Sequence, residues 1–490
     1  MECDSRWVFT ALIIGIVAIY ELLKRANEWI YVRSLDRNMQ EKLPPGHLGW
    51  PLIGNMWSLF RALNYGDPES FINSFIHRYG SAPMYRAFLF GNPTIIVTTA
   101  DECRKVLNDE RFELGYPKSL IKLLGETTVL GKRYQERKRL RQLVQSPIAG
   151  QEALTSFVYY INAVAETSFQ EWEKINQPIE FLTEMKKASF KALMKVFFSN
   201  EIDQHSLGLF QREFNVLADG LMSMSINFPG FAYHKALKAR NNLFKMFKEI
   251  VYKRRTEPCS DGLNTKKDLL TLLMEASDSS GNALIDEDII SLLLAFSFAG
   301  HESTSLTITW AIIFLEENPH ILRKAKEEQE DIVKRRTSSE TGLAYYEIKE
   351  MKYLRKVINE TLRLISVGLA IHRKAQTDIN VNDYIIPRGW KVLAWHRNVH
   401  FDPQNYENPN DFNPSRWKDV QGKARAFLPF GAGSRFCPGS DLAILQISVY
   451  LHCFLLNYRL HRMNPKSKVE YFMVPKPADK CLARVRKFSP

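Results

Sequence analysis

The stretch 286–318 constrains the fold of this chain more than any other part of the sequence. Its apolar residues would point in nearly every direction around a helix, and a helix that is apolar on all sides is buried. Glu302 and two hydroxyl side chains stand near its middle, and an acid at the centre of a bilayer is costly. We therefore predict a long helix that ends at Pro319 and lies inside a protein core rather than in a membrane.

The segment 300–304 breaks the local rules of that helix. Gly300 costs about 1 kcal/mol relative to alanine, and the nearby Ser303 and Thr304 compete for backbone hydrogen bonds. A helix that breaks such rules at one point is more often functional than accidental. We predict that a groove admits a small molecule here, with Glu302 and Ser303 passing protons to it.

A second unusual segment is 430–439, where Cys437 and Arg435 stand among three glycines just before another helical pattern. Glycines let the backbone turn tightly and approach a flat object closely. A cysteine beside a cation and near a helix start is the kind that is held as a thiolate, and such a thiolate can be the proximal ligand of a haem iron. The other reading is a cysteine that packs as a small buried apolar side chain, which is the commoner role.

Composition narrows the class of protein. The chain has 490 residues, 45% of them apolar and 24% charged, as in a globular protein. The formal net charge of +12 indicates an acidic partner or surface. Since neither a zinc-finger spacing nor a basic run interleaved with aromatic residues occurs, we expect no nucleic-acid partner. The six cysteines form no C-x-x-C pair, which favours a reducing compartment and argues against a disulfide framework or a structural zinc site.

The N-terminus carries an apolar run over 7–23, followed by Lys24 and Arg25. Its length is at the short end of the roughly 17–25 residues that cross a membrane. A cleaved signal peptide is the competing reading, but no small-residue cleavage site follows the run. Because positive residues stay on the cytosolic side, we predict an uncleaved single-span anchor with the remaining chain in the cytosol. The predicted division is a membrane anchor, a basic and proline-rich hinge and a catalytic domain, over residues 1–25, 26–55 and 56–490.

Within the body, 84–90 and 94–98 read as two strands of a hairpin joined at 91–93. Beyond about residue 100 the pattern is mostly helical, with no boundary between independent domains. A body of this length exceeds the usual single core, which a large central prosthetic group would help to explain. We predict a mainly α fold with a small β-sheet region near the N-terminal part, preceded by one transmembrane helix.

Charged residues cluster at three further places. The segment 132–141 contains six basic residues and one acid. These form either a solvated helix face or, at Arg141, an inward contact to an anion such as a propionate, with the others forming a docking surface. Glu360 and Arg363 share one helix face, where a surface pair would contribute only about 0.2–0.5 kcal/mol. Arg416 follows in a proline-containing loop.

Four motifs together resemble those of one enzyme family. They are F-x-x-G-x-R-x-C-x-G, A-G-x-E-S-T, E-x-x-R and P-x-R-W, at 430–439, 299–304, 360–363 and 414–417. A chain with these motifs resembles a cytochrome P450 monooxygenase of the plant microsomal kind, and the likeness covers essentially the whole length. The segments 48–55 and 227–234 are similar to the subfamily that includes ent-kaurenoic acid oxidase and β-amyrin 11-oxidase. The resemblance implies the cytochrome P450 fold.

The resemblance also implies a role for each matching residue. Cys437, in the loop that begins at Phe430, would be the axial thiolate ligand of the iron of haem b. Arg141, Arg373 and Arg435 would bind the haem propionates. Ala299 and Gly300 would open the helix for dioxygen, and protons would come from Glu302 and Ser303. A buried structural ion network would consist of Glu360, Arg363 and Arg416. Substrate contacts would come from Phe298, Ala299, Leu369, Ile371 and Met473.

Three positions depart from the family pattern. Ser303 stands where most members have threonine, which keeps the hydroxyl group. Arg137 stands where many members have a tryptophan that binds a propionate, and it still donates hydrogen bonds. The segment 365–372 differs from that expected of a kaurenoic acid oxidase, which argues against a diterpenoid acid as substrate.

The implied function is that of a haem-thiolate monooxygenase which uses O2 and NADPH-derived electrons to oxidise a polycyclic terpenoid. A triterpenoid of the β-amyrin or cucurbitadienol type is the expected substrate, and ent-kaurenoic acid is the second candidate. The expected partners are NADPH–cytochrome P450 reductase, at the basic proximal face, and the endoplasmic reticulum membrane. A haem isomerase that works without reductase and a haem carrier or sensor are further readings, and the presence of Glu302 and Ser303 disfavours both.

Overall fold

Helices dominate the protein, as the sequence predicts. The computed structural model describes residues 2–124, 134–221, 223, 225–257, 266–336, 342–418, 425–472 and 474–488. The α-helices are α1 Glu2–Tyr31, α2 Arg37–Glu41, α3 Met56–Asn64, α4 Glu69–Tyr79, α5 Ala100–Asn108, α6 Lys118–Leu124, α7 Tyr134–Ala149, α8 Gln151–Glu173, α9 Phe181–Phe198, α10 Gln204–Leu221, α11 Ala232–Thr256, α12 Leu269–Glu275, α13 Asp286–Glu317, α14 Pro319–Lys334, α15 Tyr345–Glu350, α16 Lys352–Ile365, α17 His396–Phe401 and α18 Ser440–Asn457.

The strands are short and form small sheets. They are β1 Met84–Leu89, β2 Asn92–Val97, β3 Phe112–Leu114, β4 Ile179–Glu180, β5 Ile371–Ala375, β6 Ile379–Val381, β7 Tyr384–Ile386, β8 Lys391–Ala394, β9 Tyr458–Arg462, β10 Val469–Glu470, β11 Lys476–Pro477 and β12 Leu482–Lys487. The largest described sheet has the order β1-β2-β8-β5-β3, in which only the β2–β8 pair is parallel. The others are β4-β12-β9, β6-β7 and β10-β11.

The predicted hairpin is confirmed. β1 and β2 pair antiparallel, with Met84 opposite Val97 and Leu89 opposite Asn92. The turn is tighter than the predicted 91–93, because Asn92 and Pro93 already belong to β2. Gly91 makes the tight turn possible with a φ of +73°, a backbone region that L side chains rarely adopt.

Helix α13 lies at the centre of the body. It packs against α9, α11, α14, α16 and α18. Residues such as Ile289, Leu293 and Ile308 are completely buried in the largest core cluster. Three acids occupy its first turn, where carboxylates complement the positive end of the helix dipole. The helix ends just before Pro319, which opens α14 because a proline at the first position needs no helical N–H partner.

Helix α1 contrasts with this core. It is one continuous helix of 30 residues, so it continues past residue 25, where the anchor was predicted to end. At about 1.5 Å per residue it is about 45 Å long, which exceeds the roughly 30 Å of a bilayer core. Its described large apolar side chains are exposed, namely Trp7, Phe9, Leu12, Ile14, Leu22 and Leu23.

Among the described residues, two helices of the body, α13 and α18, have the length and apolar composition of membrane spans. Both contribute residues to the largest core cluster of the body, where they pack against each other. Burial inside the protein accounts for their composition, as predicted for the stretch 286–318.

The hinge segment docks onto the end of α1. The Asn27 side-chain amide lies 2.8 Å from the Trp50 carbonyl oxygen and 3.2 Å from that of Leu48. The Leu48 N–H donates to Glu28 Oε1 at 2.8 Å. Helix and hinge are thus fastened to each other where the chain enters the body.

Candidate active site

Cys437 lies in a tight loop directly before α18. Its backbone N–H donates to the Phe430 carbonyl at 2.9 Å, which closes the loop on itself. Gly433 has a φ of +71°, and a Cβ there would stand 2.6 Å from the Leu107 carbonyl oxygen at the end of α5. Only glycine permits this close approach. The loop therefore holds a free, half-buried thiol in a fixed position.

The protein groups around the thiol do not favour the thiolate by themselves. Burial raises the pKa of Cys437, and this outweighs the lowering by the Gly439 backbone N–H and by the Arg141 guanidinium. The sequence-based expectation of a stabilised thiolate therefore does not hold for the protein alone. A bound metal ion would supply the missing positive charge, because a coordinating thiol is deprotonated outright.

Arginines converge on this loop. Arg141 of α7 donates through Nη1 to the Ser434 carbonyl oxygen at 2.5 Å. Arg435 donates through Nη2 to the Phe112 carbonyl of β3 at 3.3 Å. Arg373 is buried on β5, the strand that pairs with β3. The structure thus places two arginines at the cysteine loop and a third, Arg373, on the strand next to β3, and their charge suits a flat, anionic prosthetic group.

The middle of α13 has an unusual surface but an unbroken backbone. Helix α13 runs through 300–304 without interruption, and its opening for dioxygen at Ala299 and Gly300 stays a prediction. Ala299 is exposed although most of the helix around it is buried. Ser303 Oγ donates to the Ala299 carbonyl at 2.8 Å, one turn away on the same helix face. The irregularity is therefore confined to side chains, which leave a small-residue surface with one hydroxyl.

Glu302 points toward α9 and forms an ion pair. Its Oε1 lies 2.5 Å from Lys186 Nζ, and both side chains are 34% exposed. Burial works to raise the pKa of Glu302, but the Lys186 ammonium outweighs it and holds the pKa below its ordinary value. Nothing in the sequence pointed to Lys186, because the pair joins residues on two different helices.

Glu360, Arg363 and Arg416 form a buried network. Glu360 Oε1 accepts from Arg363 Nη2 and from Arg416 Nε, each at 2.8 Å. Glu360 Oε2 accepts from Arg363 Nε at 3.0 Å and from the Trp417 indole at 2.9 Å. Both carboxylate oxygens are thus fully used, and the structure brings together the three residues that the motifs singled out.

His400 connects this network to the cysteine loop. Its Nε2 accepts from the Leu428 N–H at 3.0 Å, and its Nδ1 lies 2.8 Å from Ser366 Oγ. Ser366 in turn donates to the Arg363 carbonyl at 2.9 Å. Complete burial holds the pKa of His400 well below its ordinary value, so the ring is neutral and Nδ1–H is its donor. The loop is therefore fastened to the Glu360 network by a neutral histidine.

The residues expected to contact substrate lie on separate elements. Phe298 is half-buried beside the exposed Ala299 on α13, and Leu369 is half-buried in the segment before β5. Ile371 reaches the cysteine loop, since its Cδ1 would lie 3.7 Å from a Cβ at Gly431. Met473 and the side chain of Arg137 lie outside the described residues.

The described residues hold no cluster of three or more His, Cys, Asp or Glu side chains arranged for a metal ion. A metal at Cys437 would therefore take its remaining ligands from a prosthetic group. A glycine-lined thiol, arginines at its loop and a long core helix are features that an oxygenase binding iron through one cysteine would need. The family model Cytochrome P450 matches residues 44–482, so the chain belongs to the cytochrome P450 family and is a monooxygenase.

Curated relatives are similar over nearly the full length. Ent-kaurenoic acid oxidase 2 of Arabidopsis thaliana is 47% identical over 483 residues, which is 98% of each chain. Beta-amyrin 11-oxidase of Glycyrrhiza uralensis is 45% identical over 472 residues, 96% of this chain and 95% of the relative. Among solved structures, retinoic acid bound cyanobacterial CYP120A1 matches with a TM-score of 0.79 at 22% identity, covering 91% of this chain and 99% of that one. That likeness shows the fold alone.

Proposed function

We propose that this chain is a haem-thiolate monooxygenase that oxidises a polycyclic terpenoid, with a triterpenoid of the β-amyrin or cucurbitadienol type as substrate. The observation that carries the proposal is the loop of Cys437 with Arg141 and Arg435 at it. This loop directly precedes α18, which packs against α13, the helix that bears Ala299 and Ser303.

The residues present fit a haem. Cys437 would hold the iron, and the guanidinium groups of Arg141, Arg373 and Arg435 would neutralise the propionates. Haem supplies the activation of dioxygen, with electrons that come from NADPH. The chain contributes a small side chain at Ala299, which leaves room beside the helix, and it holds a proton at Ser303 Oγ.

Proton supply to Ser303 would depend on Glu302. The two residues are adjacent on α13, and Glu302 is ionised because Lys186 lowers its pKa. Since both members of the pair are one-third exposed, the carboxylate is able to exchange protons with solvent water. Glu302 would therefore collect protons from solvent and Ser303 would pass them inward.

Two features support a neutral polycyclic substrate. Beta-amyrin 11-oxidase acts, by its name, on a triterpenoid, and it is 45% identical to this chain. The described residues expected to contact substrate are Phe298, Ala299, Leu369 and Ile371, which are all uncharged. His372, beside Ile371, is also neutral, because burial and the charges of Lys391 and Arg373 lower its pKa to about 4. An apolar lining suits a hydrocarbon skeleton and offers no counter-charge to a carboxylate.

Ent-kaurenoic acid remains the second candidate substrate. The observation in its favour is the 47% identity to ent-kaurenoic acid oxidase 2 over 98% of both chains. Its carboxylate would require a cation in the pocket, and the candidate is Lys186, the partner of Glu302 next to Ser303. That lysine is already paired with Glu302.

We propose that α1 holds the enzyme in the endoplasmic reticulum membrane with the catalytic body in the cytosol. Exposed apolar side chains continue from the end of α1 onto the body, at Trp29, Ile30, Leu52, Ile53, Trp57, Phe60, Phe90 and Phe472. Phe60 and Phe472 contact each other, with ring centroids 6.2 Å apart. Such an apolar patch next to an anchor helix would lie against lipid.

NADPH–cytochrome P450 reductase is the proposed electron donor. Lys138 is an exposed cation on α7, the helix of Arg141, whereas the exposed Arg425 before the loop is ion-paired with Asp101. Arg139 is less suited to a partner than the sequence indicated, because it forms an ion pair with Asp278 at 2.7 Å. Lys138 is therefore the more informative position for a docking experiment.

Co-expression tests the proposed substrate class. The chain would be expressed in yeast microsomes with a plant reductase and supplied with β-amyrin, cucurbitadienol or ent-kaurenoic acid, with Cys437→Ser as the matched inactive control. We expect an oxidised product from a triterpenoid, detected by mass spectrometry, and none from ent-kaurenoic acid. Oxidation of ent-kaurenoic acid alone would establish the second candidate instead. Normal CO binding without oxidation of any of the three would contradict the terpenoid assignment.

A further inference from the structure

Arg397 is a buried cation that the catalytic site does not use. It lies on α17, its side chain is only 5% exposed, and Nε donates to the Glu69 carboxylate of α4 at 2.6 Å. Taking a guanidinium out of water is costly unless its partners replace the lost hydration. The positions of the groups that contact the Arg397 guanidinium therefore indicate its role.

The first partner is the segment that carries Leu369 and Ile371. Arg397 Nη1 donates to the Leu364 carbonyl at 3.2 Å, at the end of α16. The Arg397 backbone N–H donates to the Leu369 carbonyl at 3.3 Å. One residue therefore holds the stretch before β5 at both of its ends, and this stretch contains two of the residues expected to contact substrate.

The second partner is a different segment with the same expected role. The Arg397 guanidinium carbon lies 4.8 Å from the centre of the Tyr471 ring, and 4.3 Å from the ring of Phe401 on its own helix. Tyr471 directly follows β10 and is two residues from the expected contact residue Met473. Leu369 and Tyr471 also pack against the same apolar cluster. Arg397 thus joins two chain segments that are about a hundred residues apart in sequence.

We propose that Arg397, with Glu69 and the Tyr471 ring, is a positioning residue that sets the spacing between these two substrate-contacting segments and thereby which carbon of the substrate is oxidised. Its effect on the reaction rests on the proposed function, but its effect on the two segments does not. Arg397 touches neither the cysteine loop nor Ser303 in the described contacts. Its action is therefore on the shape of the pocket and not on oxygen chemistry.

The geometry explains why an arginine serves this purpose. A guanidinium donates in several directions within one plane and stacks through its face, so a single side chain contacts a carboxylate, a carbonyl and two rings at once. The ring contact is the one that reaches the second segment. Removal of the Tyr471 ring should loosen the segment that follows β10. The ion pair of Arg397 with Glu69 and its hydrogen bonds to Leu364 and Leu369 should stay in place.

The test variant is Tyr471→Leu, which removes the ring but keeps an apolar side chain of similar bulk. Tyr471→Phe retains the ring face and should restore the behaviour of the parent enzyme. Tyr159→Leu is the matched surface control, because an exposed lysine–tyrosine contact is lost there, with Lys266 Nζ 4.5 Å from the ring centre. The reduced CO spectrum of each haem-loaded variant reports that the fold and the cysteine loop are intact.

Hydrogen–deuterium exchange measures directly how firmly Arg397 and Tyr471 hold the two segments. In Tyr471→Leu we expect amides in 469–477 to exchange at least about fivefold faster, as the loss of a desolvated cation–π contact allows, whereas 366–371, which keeps its bonds to Arg397, should exchange as in the parent enzyme. Tyr471→Phe and Tyr159→Leu should match the parent enzyme in both peptides. Unchanged exchange in 469–477 of a correctly folded Tyr471→Leu enzyme would overturn the proposal.

Two ligand probes test the pocket without any knowledge of the substrate. Imidazole fills only the position at the iron, whereas clotrimazole also fills the space above it. In spectral titrations of Tyr471→Leu we expect the Kd of clotrimazole to rise about fivefold and that of imidazole to stay within about twofold. Equal Kd values for clotrimazole in the parent and variant enzymes would contradict a role in pocket shape.

Product analysis tests the effect on specificity. With whichever terpenoid the parent enzyme oxidises, Tyr471→Leu should change the ratio of products by about fivefold or more, while Tyr471→Phe keeps the parent ratio. Faster exchange together with an unchanged ratio would overturn the role in specificity. If no terpenoid is oxidised at all, the proposed function fails. The exchange and azole measurements still test whether Arg397 positions the two segments.

Discussion

Two glutamates of this protein form ion pairs with basic side chains, but one pair is buried and the other is partly exposed to solvent. Glu360 is fully buried and uses both carboxylate oxygens, on Arg363, Arg416 and Trp417. Glu302 has one described side-chain partner, Lys186, and both members of that pair are one-third exposed. The first carboxylate is surrounded on every side, whereas the second remains in contact with solvent.

This difference separates a structural role from a chemical one. A buried network with every oxygen occupied has no alternative partner, so it holds one geometry and transmits it through His400 to the cysteine loop. A half-exposed pair is able to break and re-form at little cost, because water replaces the lost contact. We therefore propose that Glu360 maintains the loop and that Glu302 moves the proton.

The largest effect is expected for Glu360→Ala. The change leaves Arg363 and Arg416 buried without their carboxylate, and the loss of one partner of a buried pair costs about 3–5 kcal/mol. We expect a fall of that size in the free energy of unfolding, measured by denaturant titration, together with poor haem retention. Glu302→Ala is the matched control and should lower stability by less than about 1 kcal/mol. Equal losses in the two variants would contradict the division of roles.

The second largest effect is expected on the coupling of NADPH consumption to product formation. Ser303→Ala removes the hydroxyl beside Ala299 without disturbing the backbone, since Ser303 Oγ bonds only within its own helix in the described contacts. Loss of a positioned proton donor should lower the product formed per NADPH by at least about tenfold. NADPH consumption and product are measured together in microsomes. Unchanged coupling would remove Ser303 from proton delivery.

Lys186→Gln should change the pH dependence. Lys186 lowers the pKa of Glu302 while burial raises it, so removal of the lysine must raise that pKa. Since the ionised form then persists over a narrower range, the acid limb of the coupling profile should move to higher pH. The stabilisation from the ion pair, present above the ordinary carboxyl pKa and lost as pH falls through the folded pKa, should also disappear. An acid limb that stays in place would exclude Glu302 as the titrating group.

The smallest effect is expected at the surface. Lys138→Glu reverses an exposed charge near the cysteine loop and should slow reduction by the reductase about threefold at low salt, with the difference vanishing at high salt. Lys245→Glu makes the same change at an exposed position on α11, which packs on α6, α10 and α13 in the described contacts. Stopped-flow reduction under CO measures both. Equal rates for the parent and Lys138→Glu enzymes would contradict docking at this face.

Local pattern was sufficient to predict much of this molecule. The apolar periodicity of 286–318 predicted the core helix, and alternation predicted the β1–β2 hairpin. The spacing of Glu360 and Arg363 placed them on one face of α16, and the motifs indicated Arg416 as their partner. The helix and the hairpin depend on residues close together in sequence. The Glu360 network was predictable because its motifs require a particular residue type at each position.

Features that depend on tertiary contacts were not predictable. Lys186 and Arg397 act through side chains of distant elements, α13, α4 and the segment after β10, and no spacing reports such contacts. The continuity of α13 through 300–304 was not predicted either, and there Ser303 Oγ bonds to the Ala299 carbonyl of its own helix. The stabilised thiolate expected at Cys437 was not found either. Burial raises the pKa of this thiol more than the Gly439 backbone N–H and the Arg141 guanidinium lower it. Burial is a property of the folded state.

The central claim is that Cys437 is the iron ligand of a haem enzyme, and one spectrum tests it. The reduced, CO-bound parent enzyme should show the Soret band of a thiolate-ligated haem, and Cys437→Ser should lose that band. Because haem content is measured in parallel, loss of the thiolate ligand is distinguished from loss of the haem. A Cys437→Ser enzyme that keeps the thiolate-type band would contradict the account.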